Sequence, residues 1–397
     1  MPCFHRYFGQ VIILLKLGGE TVECYFDNSA TTQPTRKVVD AMVEVLTDCY
    51  GNPSSLHRVG DAASEKLQVA RETLAKSLSC DPAEVYFTSG GTESNNISIM
   101  GAAHALRRRG NRIVTTCVEH PSVLECMDRL TEEGFEVIKL PVDGTGHVSE
   151  ADIADAIDEH TILVSMMYVN NEVGSIQPIG AAASAIKRSG APALLHVDAV
   201  QAFGKLPIKP SSLGIDLLSI SAHKVHGPKG QGALYMKKGT RLTPYILGGG
   251  QENGVRSGTH GMPGIVGLGA AVSELGDIEA NGKYVATLKA KLLDQLSTED
   301  NLVVNSPDDF PYILNISLRG VPSEVLRNFL SECGVYVSTG SACSKGHRSY
   351  VLTSMGLDPK VIDSAIRISF SRFNTEEEVD YLAECLKRAN KSLRKVH

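Results

Sequence analysis

Cys343 stands in "VSTGSACSKGHRS", Val337 to Ser349, among small and basic residues directly after an apolar run. A thiol is ordinarily buried like a small hydrophobe. This one is set in a stretch whose composition reads as an exposed, mobile loop. Lys345, His347 and Arg348 follow it and favour the thiolate, the nucleophilic form of the side chain. Two other residues carry charge where the chain is otherwise apolar: Asp198 ends "ALLHVD" and Lys224 ends "LLSISAHK". A lone carboxylate or ammonium at such a place costs several kcal/mol (about 2–7 for a polar group) unless it has a partner. Either the two pair with each other, or both face a bound group.

Three more stretches bear on that choice. "FTSGGTESNN", Phe87 to Asn96, runs a strand into Ser-Gly-Gly-Thr and then a helix, which turns free N–H groups and a helix dipole toward an anion. "VEHPS" puts His120 at a strand end, and "YVNNEVG" puts Asn170 and Asn171 at another. Taken singly, His120 reads as a structural histidine and the asparagines as turn residues. Together, a phosphate cup, a flat His, an amide, a buried Asp and a buried Lys come at successive strand ends. Pyridoxal phosphate needs that set: a lysine for its Schiff base, a carboxylate on its pyridinium nitrogen and an anion cup for its phosphate.

These residues require a scaffold that presents strand ends side by side. From about residue 35, helical patterns ("PTRKVVDAMVEVLTDC", "AASEKLQVARETLAKSLS", "PSVLECMDRL", "EADIADAIDEH", "IGAAASAIKRSG") alternate with short apolar runs ("EVYFTSGG", "RIVTTCVEH", "TILVSMMYVNN", "LLHVDAVQ", "LLSISAHK"). Such alternation predicts an α/β fold with a mainly parallel sheet covered on both faces, whose ligands bind beyond the carboxyl ends of the strands. A Gly-rich stretch, "LGGGQENGVRSGTHG", closes this part. After it come a long helix, "KYVATLKAKLLDQL", fewer strands ("YILNISL", "VYVSTGS", "AIRISFS") and a last helix opened by Thr375 and three glutamates. The expected organisation is a large cofactor-binding domain over residues 24–265, whose first residues pack with a smaller α+β domain over 266–397 that carries Cys343. Residues 1–23 form an extension without a matching pattern.

The rest of the composition excludes more than it assigns. A net charge of −6 argues against a dedicated nucleic-acid surface. The nine cysteines form no C-x-x-C pair and no metal-finger spacing, which fits free thiols in a reducing cytoplasm. The apolar stretch in "QVIILLKLGG" is too short for a signal core or a membrane span. The expectation is a cytoplasmic protein with no metal, no membrane contact and no direct nucleic-acid contact.

The motifs "YFDNSATT", "GNPSSLH", "FTSGGTESNN", "VEHPS", "VNNEVGSIQPI", "HVDAVQ", "SISAHKVHGPKGQGALY", "GGGQENGVRSGT" and "STGSACSKG" resemble the cysteine desulfurases, over about residues 24 to 390. These are pyridoxal-phosphate enzymes of fold type I in the class V aminotransferase superfamily. "STGSAC" is similar to the group with a long cysteine loop, although the segment from Cys343 to "YVL" is shorter and more basic than is common there. The resemblance implies a role for each matching residue. Lys224 would carry the cofactor and move the Cα proton. Asp198 would hold the pyridine nitrogen, Gln201 the ring hydroxyl, and His120 would stack on the ring and assist proton transfer. Gly91, Thr92, Ser221 and His223 would cradle the phosphate, with Thr259 contributed to the other subunit of a homodimer. Asn171 and Arg367 would hold the substrate carboxylate, Arg367 through its bidentate fork. Cys343 would take sulfur from L-cysteine as a persulfide, leaving L-alanine, and pass it to an acceptor protein, an iron–sulfur scaffold or a thiolation enzyme for tRNA or a cofactor. The competing readings are a selenocysteine lyase or another pyridoxal-phosphate lyase, and a cofactor-free scaffold. Lys224 and Asp198 standing together argue against the last.

Overall fold

The computed structural model describes residues 23–339 and 348–393. The first described elements are a two-residue strand, β1 (Cys24–Tyr25), and helices α1 (Arg36–Thr47) and α2 (Arg58–Leu78). Thr35 caps α1 by accepting the Val38 N–H at 3.3 Å, and His57 caps α2 by accepting the Gly60 N–H at 3.2 Å. The alternating region follows: β2 (Val85–Thr88), α3 (Gly91–Leu106), β3 (Arg112–Thr116), α4 (Pro121–Glu132), β4 (Glu136–Leu140), α5 (Glu150–Ala156), β5 (Thr161–Met167), α6 (Ile179–Ser189), β6 (Leu194–Asp198), α7 (Pro210–Leu213), β7 (Leu217–Ser221) and β8 (Gly232–Met236). The helix expected through "EADIADAIDEH" stops at Ala156, because the Asp158 side chain accepts from the His160 N–H (3.0 Å) and the Thr161 hydroxyl (3.1 Å) and turns the chain there.

Among the described residues these strands make one seven-stranded sheet in the order β2-β8-β7-β6-β5-β3-β4. Pairs from β4 through β7 are parallel, and β8 runs antiparallel to β7 and β2. Successive residues serve opposite faces. Leu163, Leu217 and Leu234 pack with Ile97 and Met127 on one side, while Val164, Leu218 and Ala233 join the main core on the other. Both faces are covered, which is why the strands read as continuous apolar runs. The fold class expected from the sequence is the one observed.

The chain continues through α8 (Met262–Ser273), which spans the division expected at residues 265/266 and packs against α1 and α2. Then come α9 (Ile278–Leu296), β9 (Leu302–Val304), β10 (Ile313–Leu318), α10 (Ser323–Glu332), β11 (Val335–Tyr336), α11 (Tyr350–Ser354), α12 (Pro359–Ile362), β12 (Ala365–Ser369) and α13 (Glu376–Leu393). β12, β10 and β9 form an antiparallel sheet, and β1 pairs in parallel with β11. Just past β1, Asp27 bridges to Ser369 at the end of β12. The residues just past β1 are thereby laid against the strand that carries Arg367. No described helix is long and apolar enough to cross a membrane.

Candidate active site

The parallel strands deliver their carboxyl ends to one edge. Met167 of β5 is in register with Asp198 of β6, and Asp198 with Ser219 of β7. Beyond that edge lies a cavity of about 240 Å³. Gly91, Thr92, His120, Asn171, Asp198, Gln201, Ser221, His223, Lys224 and Arg367 all line it. Thr259 does not: it is exposed, on the Gly-rich stretch. Glu252 anchors that stretch by accepting from both Arg71 nitrogens (2.7 and 2.9 Å), the Phe87 N–H (2.8 Å) and His260 (2.6 Å). Cys343 lies outside the described residues. The chain on either side of it is tied to the core near the cavity. Ser338 pairs with Arg367, the Ser349 hydroxyl donates to Glu172 (2.5 Å), and the Tyr350 hydroxyl donates to the Glu119 carbonyl (2.5 Å).

Asp198 is 6% exposed, and its two oxygens are satisfied by neutral donors. Asn95 Nδ2 donates to one at 2.7 Å and the Val200 N–H to the other at 2.9 Å. Lys224 Nζ donates to the main-chain oxygens of Ser29 (2.5 Å) and Ala30 (2.7 Å). The carboxylate is therefore not held by the lysine alone, and both groups face the same cavity.

His120 precedes Pro121, whose ring disfavours helical geometry in the residue before it, so His120 sits extended as the N-cap of α4. Its Nδ1 accepts from the Ser122 N–H at 3.1 Å and contacts the Ser122 hydroxyl at 2.8 Å. That hydroxyl in turn accepts from Asn95 at 2.9 Å. Burial first, with Lys224 adding repulsion, pushes the His120 pKa below its ordinary value, partly opposed by Asp198. The network thus assigns a neutral ring with its proton on Nε2. Burial, with Lys224 next, also pushes His223 down to about 4.

Arg367, in the middle of β12, is 2% exposed. Its guanidinium donates to the Asn171 carbonyl and to Asp27, each at 2.9 Å. The ion pair with Asp27 is buried on the arginine side, and Arg367 itself lines the cavity wall. Sequence reasoning gave no role to Asp27 and Asn95, which hold Arg367 and Asp198 in place at the cavity. Asn95 lies one helical turn after Gly91, hence on the same face of α3. Asp27 is a charge directly after "CYF", and nothing near it in the chain marks it out.

The residues fit pyridoxal phosphate. Ser29 Oγ, Asn95 Oδ1, Asn171 Oδ1 and Arg367 Nε are buried at the cavity without a hydrogen-bond partner among the described residues. Buried polar atoms are rarely left so, and here they point to a polar occupant. At the first residue of α3, a Cβ on Gly91 would come within 2.6 Å of Val200 Cγ2. Only glycine lets the helix N-terminus lie this close to the segment after Asp198. Of the described cysteines, Cys24, Cys49, Cys126 and Cys385 are buried and Cys80, Cys117 and Cys333 partly so. Among the described residues no cluster could hold a metal.

The class-V aminotransferase family profile matches residues 24–382. The cysteine desulfurase IscS of Methanosarcina thermophila is 40% identical over 380 residues, covering 94% of each chain. The mitochondrial cysteine desulfurase of Eremothecium gossypii is 40% identical over 94% of this chain and 77% of its own. Among solved structures, a NifS-like protein superposes with a TM-score of 0.87 at 40% identity, over 93% of this chain and 99% of that one. SspA in complex with cysteine superposes at 0.79 and 34% identity, over 89% and 100%. With a family profile spanning nearly the whole chain and relatives of this identity over almost its full length, the chain belongs to the class-V aminotransferases, in their cysteine desulfurase branch.

Proposed function

We propose that this protein is a pyridoxal-phosphate-dependent cysteine desulfurase that converts L-cysteine to L-alanine and takes the sulfur on Cys343. The observation that carries the reading is the single cavity gathering Lys224, Asp198 and Arg367, its wall bearing unpartnered polar atoms. Lys224, Asp198, Gln201, His120 and the cup of Gly91, Thr92, Ser221 and His223 would hold the cofactor. When bound, it supplies an electron sink for the pair left at Cα as its proton departs. Asp198 keeps a proton on the ring nitrogen, and Asn95 and the Val200 N–H hold that carboxylate in place. Arg367, braced by Asp27, and the free Asn171 oxygen orient the substrate's carboxylate and amine. The Lys224 amine moves the Cα proton. The Cys343 thiolate attacks the substrate sulfur, so that one S–S bond forms as one C–S bond breaks. The products are alanine and a Cys343 persulfide.

The organisation that goes with this reading is a large domain over 24–265 and a smaller one over 266–397. The protein would act as a homodimer in the cytoplasm, Thr259 of each subunit completing the other's phosphate site. The persulfide would be passed to an iron–sulfur scaffold or a thiolation enzyme. The test is product analysis of the holoenzyme supplied with L-cysteine and a thiol reductant. Alanine and sulfide in equal amounts are expected. Pyruvate and ammonia instead, or alanine from L-selenocysteine alone, would replace the reading with a β-eliminating lyase or a selenocysteine lyase.

A further inference from the structure

One buried cation near the cavity has no part in the chemistry above. Lys205 is 9% exposed and follows β6 in "HVDAVQAFGK". A turn from Ala199 brings it there: the Phe203 N–H donates to the Ala199 carbonyl at 2.8 Å and the Lys205 N–H to Ala202 at 3.0 Å. Gly204 lies at φ +73, and a Cβ on it would meet Leu275 Cδ2 at 2.7 Å and Val225 Cγ1 at 2.8 Å. The turn needs glycine there on both counts. The turn, with Gly204 in the left-handed region, folds the Lys205 side chain back onto that of Gln201.

Lys205 Nζ donates to Gln201 Oε1 at 3.3 Å. Gln201 Nε2 donates to the Ser29 carbonyl at 3.0 Å, and that same oxygen accepts from Lys224. The groups form a continuous chain from Lys205 through Gln201 and Ser29 to Lys224. Around Lys205 lie the Tyr312 ring, 5.8 Å from Nζ, and a small pocket of about 20 Å³ shared with Asn28, Lys224, His226 and Arg372. Burial, with Lys224 and Arg367 adding repulsion, brings its ammonium down to about 7. An apolar side chain would sit in such a place at less cost.

An amide can present either its oxygen or its N–H₂ end, and the two have nearly the same shape. A protonated lysine has donors only. We infer that Lys205 is a positioning residue that fixes the Gln201 amide with its oxygen turned away and its N–H₂ end toward Ser29 and the cavity. Gln201 then meets the occupant as a hydrogen-bond donor, the polarity that a ring phenolate oxygen requires. The inference rests on the pyridoxal-phosphate reading of the cavity.

The experiment measures the dissociation constant of pyridoxal phosphate and the absorption maximum of the yellow holoprotein for wild type, Lys205→Met, Gln201→Met and the double variant. Lys205→Met and Gln201→Met are each expected to weaken cofactor binding about tenfold, the worth of one hydrogen bond in a buried site, and to shift the absorption maximum. The double variant should match Gln201→Met within about threefold, because Lys205 then has nothing left to orient. That comparison stands even if Lys205→Met alone fails to fold, since replacing both partners leaves no unpaired polar atom. Wild-type affinity and spectrum in Lys205→Met, or losses that multiply in the double variant, would overturn the inference. A wild-type protein that stays colourless with pyridoxal phosphate would instead bring down the cofactor reading itself, and this inference with it.

Discussion

Replacing Lys224 with alanine abolishes alanine formation, a loss of about 10⁴-fold or more, because one amine serves both attachment of the cofactor and movement of the Cα proton. The fold survives the change. Lys224 follows the buried strand β7 as the last residue of a single 3-10 turn, Ala222–Lys224, and its Nζ contacts include two main-chain carbonyls at the cavity edge. Circular dichroism of the variant should match wild type. Pyridoxal phosphate should still enter, but dialysis should remove it, where the wild type keeps it. Alanine release near the wild-type rate would refute the assignment of Lys224.

Asp198→Asn is the second large effect. The amide has nearly the shape of the carboxylate, so one of the two donors, Asn95 or the Val200 N–H, keeps an oxygen to donate to. The other position becomes N–H₂, facing a donor it cannot accept from. More important, an amide cannot keep a proton on the ring nitrogen. The expected loss is about 10³-fold in kcat, about 4 kcal/mol in the barrier, with cofactor still bound. Stopped assays of alanine with saturating L-cysteine measure it directly. A slowing of only a few-fold would mean that Asp198 chiefly pins α3 and the β6 end together through Asn95.

Why were Lys224 and Asp198 legible from sequence alone, while Asp27 and Asn95 were not? A charge at the end of an apolar strand breaks a pattern and demands an explanation. Asn95 breaks none, since a polar residue in the first turns of a helix is ordinary. Its weight comes from Asp198, more than a hundred residues away in sequence. Asp27 depends likewise on β12, at the far end of the chain. The parallel sheet was readable because its strands are buried on both faces and so lack alternation. The early end of α5 was not, because it turns on the local side-chain bonds of Asp158 that compete with the helix. Lys205 passed unnoticed for a related reason: only the turn through Gly204 reveals that it points back to Gln201.

Sulfur from L-cysteine is expected to arrive on Cys343, between the anchors at Ser338 and Ser349 that hold its flanks to the core. The direct measurement is peptide mass spectrometry of the holoenzyme after brief exposure to L-cysteine labelled with heavy sulfur, without reductant, followed by alkylation. One added heavy sulfur is expected on the peptide carrying Cys343, matched by alanine, and none on the peptides carrying Cys117, Cys333 or Cys385. In Cys343→Ser, cofactor should still bind, no protein-bound sulfur should appear and alanine should fall to background. Heavy sulfur on another cysteine, or alanine from Cys343→Ser at the wild-type rate, would contradict this expectation.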